Sequence, residues 1–137
     1  MATFPLGVLV GIIAVLSLDT VGSLASQRLK FHYARLAPIS YLLWGIAAAI
    51  ASQSAPNDSL KSICLGGLAG FIVGLVDSTL GWWISWHLGP GRLPPQLVTG
   101  GNMVRIIFRV SMMAAAAGVA GSLLGLLIGL TQRHGIY

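Results

Sequence analysis

The chain has 137 residues, 55% hydrophobic and 8% charged, with a mean hydropathy of +0.85 and a formal net charge of +5. Soluble domains carry about 25% charged residues, so this composition predicts an all-α integral membrane protein, helices being able to satisfy their own backbone in lipid. The length excludes a soluble catalytic domain beside several spans, so one transmembrane domain over residues 1–137 and no enzyme activity are expected.

Four hydrophobic stretches, about 4–26, 36–54, 62–86 and 103–131, can each cross a ~30 Å hydrocarbon layer at ~1.5 Å per residue. They predict a four-transmembrane-helix bundle. The first carries Asp19 in its apolar part. It lacks the basic start of a signal peptide and exceeds the usual ~7–15-residue apolar core of one, so it is read as a retained helix despite the small residues around Ala25. Gly7, Gly11, Asp19, Gly22, Ser23 and Ser26 share one broad face of it.

A basic loop follows with Arg28, Lys30 and Arg35. The second stretch starts just beyond, and Pro38 fits there because proline is tolerated in a helix's first turn. A polar loop from Ala55 to Lys61 leads to the third stretch, where Asp77 lies in apolar sequence. At ~100° per residue, Gly66, Gly70, Gly74, Asp77, Ser78, Gly81 and Ser85 fall on one face. Trp82, Trp83 and Trp86 fall on the other, where they are expected to form an interfacial belt. Cys64 has no partner for a disulfide within the chain and reads as a small packing residue.

Gly89 to Gly101, rich in proline and glycine, forms the third loop. In the fourth stretch Ala117, Gly121, Gly125 and Gly129 form a small-residue ridge, with Arg105 and Arg109 roughly opposite. Arg105 is expected to snorkel to headgroups. Arg109 either does the same or reaches Asp77 or Asp19, a charged pair being less costly in lipid than a lone charge.

Lys and Arg concentrate in and beside the first and third loops, which predicts those loops on the cytoplasmic side of the plasma (inner) membrane and both termini outside. The positive charge is then a matter of topology and anionic lipid, and no nucleic-acid partner is expected. Leu18-Asp19-Thr20-Val21-Gly22 aligns with Val76-Asp77-Ser78-Thr79-Leu80-Gly81 if one residue is inserted, and alanine runs at 47–49 and 114–117 sit in the second and fourth stretches. A two-helix unit used twice would account for both.

Intramembrane acids mark ion and substrate pathways, so the candidate ion- or substrate-binding residues are Asp19, Asp77, Ser78 and Arg109. His32, His87 and His134 lie in or beside loops without ligand-spaced Cys or Glu, and no phosphate-binding loop occurs. No metal or cofactor is expected. Two functions fit: a transporter or channel for a proton, a cation or a small cationic solute, or a non-transporting accessory subunit of a larger membrane complex. Expected partners are the lipid bilayer, the solute, and a second copy or other membrane subunits. The small-residue ridges, a glycine zipper in form, let helices approach closely, and their number suggests a homodimer.

Overall fold

The computed structural model describes residues 3–55, 57–90, 92 and 100–134, excepting the side-chain environments of Gly100 and 128–134. Helix α1 spans Thr3–Leu29. A 3₁₀ turn, Tyr33–Leu36, leads into α2, Ala37–Ser52. Helix α3, Ser59–Val76, continues through a π-helical turn, Asp77–Gly81, into α4, Trp82–Leu88, and α5 spans Gly100–His134. Four segments are long and apolar enough to cross a membrane, and no strand occurs among the described residues. The helix limits fall within three residues of the stretches expected from hydropathy.

Local chemistry sets several of these ends. Asp58 caps α3 by accepting the Lys61 N–H at 2.9 Å, which satisfies one of the donors a helix start leaves unpaired. Pro38 sits in the first turn of α2. Chain reversal after α1 begins at Lys30, a non-glycine residue in the left-handed region at φ 52°. Gly89 closes α4 at φ 110° and donates to the Ser85 carbonyl at 3.0 Å.

The helices pair through their smallest residues. Helices α1 and α2 run antiparallel, Thr3 hydrogen-bonding Ser54 at 2.7 Å, Gly7 lying on Ala51 and Gly11 on Ala47. Helices α3 and α5 do the same, Gly66 meeting Ser122, Gly70 meeting Gly118 and Gly74 meeting Ala114. The hairpins join with α1 parallel to α3 and α4: Gly11 faces Val73, Gly81 faces Asp19, Ser23 bonds Ser85, and the Gln27 amide donates to the Leu88 carbonyl. Val15, Trp44, Ala47, Val73 and Ala114 form the buried apolar core. Six serines, including Ser23, Ser52, Ser62 and Ser111, are at most 2% exposed.

Large apolar side chains point the other way: Leu9, Ile13, Val21, Leu42, Phe108 and Leu124 are all more than half exposed. Small residues inside and large aliphatics outside invert the soluble arrangement.

Three expectations change. Cys64 is exposed, because the phase of α3 turns Gly66, Ala69 and Gly70 inward instead. Gly7, Gly11, Gly66, Gly70, Gly74 and Gly121 are covered by the chain's own helices, so these ridges do not argue for a second copy. The environment of Gly129 lies outside the described residues. Trp83 points outward at 57% exposure, but Trp82 does not share its side, for a reason that lies in the π turn described next.

Candidate functional site

Asp19 stands two-thirds of the way along α1 and Asp77 opens the π turn. The parallel register of α1 with α3 and α4 carries both to one level. Gly81 lies between them. A methyl group built there would come within 3.0 Å of both Asp19 Cγ and Asp77 Oδ1, so glycine leaves the two carboxyls room to face each other.

Each acid is also held from another helix. Trp44 of α2, 4% exposed, donates its indole N–H to Asp77 Oδ2 at 3.0 Å. Tyr33, in the 3₁₀ turn before α2, donates its hydroxyl to Asp19 Oδ1. Behind Tyr33 the bonds continue, Ser85 Oγ donating to the tyrosine oxygen and Ser23 Oγ to Ser85, both at 3.1 Å. Asp19 is 5% exposed. Its Oδ2 is buried and receives no N–H or O–H among the described residues. No Lys, Arg or His among the described residues compensates either acid.

The π turn shapes the approach to the pair. It takes one residue more per turn than an α-helix, so positions after it are offset by one residue's rotation, ~100°. This offset turns Trp82 from the outward side, where regular helical spacing places it, onto the wall of a cavity that also touches Asp77. The cavity has a volume of about 920 Å³ and is bordered by both acids, Tyr41, Trp44, Trp82 and the Met103–Val110 side of α5. It reaches the end of the bundle where Lys30, His32 and Arg92, all exposed, lie along it. Tyr41 and Trp44 meet edge to face, centroids 5.1 Å apart at 87°, and Trp82 leans on Trp86 at 5.0 Å and 60°. Residues 93–99 of the third loop lie outside the described residues.

No family model, curated protein or solved structure matches the chain.

Of the four residues singled out from the sequence, Asp19 and Asp77 come together and Ser78 sits beside them. Ser78 is buried, donates to the Leu75 carbonyl at 3.2 Å and lies 3.5 Å from Ser111 Oγ of α5. Arg109 is not brought to the group. It is exposed on α5, whose cavity side there is formed by Ile106, Ile107 and Val110. Among the described residues no three of His, Cys, Asp and Glu gather as metal ligands do. Sequence reasoning missed Tyr33, Trp44 and Ser85. Trp44 carried a usable signal, because an indole N–H inside an apolar span needs an acceptor and Asp19 and Asp77 were the acids available in the other stretches. Tyr33 looked like part of a polar loop and carried none.

Proposed function

We propose that the protein is a small multi-pass membrane carrier that binds a proton or a cation between Asp19 and Asp77 and moves it across the bilayer. One observation carries this reading: two acids from different helices face each other across a glycine and, among the described residues, one buried carboxylate oxygen has no donor and no basic side chain neutralises either acid. A charged Asp at the centre of a spanning helix costs about 2.5–3.5 kcal/mol on insertion scales, and two adjacent carboxylates also repel one another. Such a pair needs a positive charge, and its state belongs to the pair rather than to either residue. A cation arriving through the cavity, or a proton shared between the carboxyls, supplies it.

The exposed aliphatic surface supports membrane insertion. The basic first and third loops belong to the cavity's end of the bundle, Gln27 of α1 touching Leu88 of α4 there. By the distribution of Lys and Arg this end faces the cytoplasm and both termini face outward. Repetition of a two-helix unit is supported by the matching small-residue pairing in the α1–α2 and α3–α5 hairpins. It is also supported by the π turn, which takes in the one residue that the alignment of 18–22 with 76–81 leaves over. Two like hairpins meeting at a charged site can expose it to each side in turn by rocking against one another.

A second reading follows from the same hydrogen bonds. Tyr33 and Trp44 tie α1 and the π turn to the second span, so the acids could serve only to fasten helices in an accessory subunit. Reconstitution separates the two. Asp19→Asn and Asp77→Asn keep nearly the same shape, and on the carrier reading both abolish cation- or pH-gradient-driven flux into liposomes while helix content and elution volume stay as in the parent. Unchanged flux in both folded variants, or no flux of any cation from the parent protein, overturns the carrier and leaves the fastening role.

A further inference from the structure

We infer that the cavity above the acid pair takes a lipophilic organic cation, a quaternary ammonium or phosphonium bearing apolar groups, which names the substrate class and rests on the carrier reading. Size is the first argument. Pockets for small organic ligands span about 300–1,000 Å³, and this one has about 920 Å³, space for which a proton or bare metal ion has no use. The walls are the second. Tyr41 of α2 and Trp82 of α4 contribute aromatic side chains to the lining, and Ile106, Ile107 and Val110 of α5 contribute aliphatic ones. Aromatic faces attract cations whose charge is spread and weakly hydrated.

Charge placement is the third argument. Asp19, 95% buried, and Asp77 both border the cavity, so the negative end of the site lies at its buried end. Lys30, His32 and Arg92 lie at the exposed rim, where water and salt screen them. A neutral lipid tail would fill the aliphatic part but leave the acids uncompensated, and an anion would meet them directly.

The test is equilibrium dialysis of the purified full-length protein in detergent, with radiolabelled tetraphenylphosphonium as probe and tetraphenylborate, of nearly the same shape and opposite charge, as its control. Saturable binding of the phosphonium, none of the borate, and no displacement by excess potassium, sodium or magnesium are expected. Asp77→Asn should weaken binding at least tenfold and Trp82→Ala about fivefold. Trp83→Ala, which changes an outward side chain, should leave it as in the parent. Should Trp82→Ala fail to fold, as judged by circular dichroism and elution volume, Trp82→Leu keeps the bulk and removes the aromatic face. Equal binding to the parent and Asp77→Asn, or equal binding of phosphonium and borate, means partition into an apolar hollow and overturns the inference. Acid-dependent flux of protons or metal ions by protein that binds no phosphonium overturns it too, while leaving the carrier reading intact.

Discussion

Replacing Gly70 with alanine tests how closely α3 and α5 approach. A Cβ at position 70 would stand 2.5 Å from the Ala114 carbonyl oxygen and 2.9 Å from Gly118 Cα, both backbone atoms of α5. Ordinary non-bonded contact begins near ~3.5 Å, so the two backbones would have to part by up to about 1 Å, and neither neighbour is a side chain that can rotate away. Overpacking of this kind costs about 1–3 kcal/mol. Gly45→Ala is the control. There the nearest atom, the Ala117 carbonyl oxygen, lies 3.8 Å away, and the general gain of about 0.5–1 kcal/mol from replacing a helical glycine by alanine is common to both variants. The difference between them therefore isolates the packing, and at about 1.4 kcal/mol per tenfold it should shift the unfolding equilibrium by roughly 5- to 150-fold. Unfolding by increasing dodecyl sulfate in mixed micelles, followed by helical circular dichroism, measures it. Equal midpoints and slopes for Gly70→Ala and Gly45→Ala would refute the claim that α3 and α5 are in backbone contact at Gly70.

Deleting Leu80, which is 54% exposed, should remove the extra residue of the π turn and leave a plain α-helix with Trp82 and Ser85 facing as before. Deleting Leu68, also exposed, rotates Gly70 and Gly74 away from Gly66 by ~100°, and should lower the mixed-micelle midpoint far more; equal loss from both deletions speaks against a local bulge. In a Cys64→Ser background, cysteine at Ser59 should react with an impermeant maleimide from outside intact cells and cysteine at Leu29 only after lysis, whereas the opposite pattern reverses the topology.

The division between what the sequence determined and what the tertiary structure decided follows the range of the forces involved. The number and limits of the long apolar helices were legible because they depend on short-range properties: hydropathy over about 20 residues, Pro38 in a first turn, Asp58 as a cap. The inward faces were legible too, since Gly7, Gly11, Gly66, Gly70 and Gly74 recur at helical spacing and small residues mark helix contacts in lipid. The two acids could be recognised as costly, though not as neighbours. Bringing Asp19 beside Asp77 took the parallel register of α1 with α3 and α4, which is settled by close packing summed over three helices and has no counterpart in a local window. The same holds for Tyr33 and Trp44, whose partners lie 14 and 33 residues away. Extrapolation failed most clearly at the π turn: a wheel drawn at 100° per residue assumes an unbroken hydrogen-bond ladder, and one additional residue between Asp77 and Gly81 turned Trp82 from the outward side to the cavity wall.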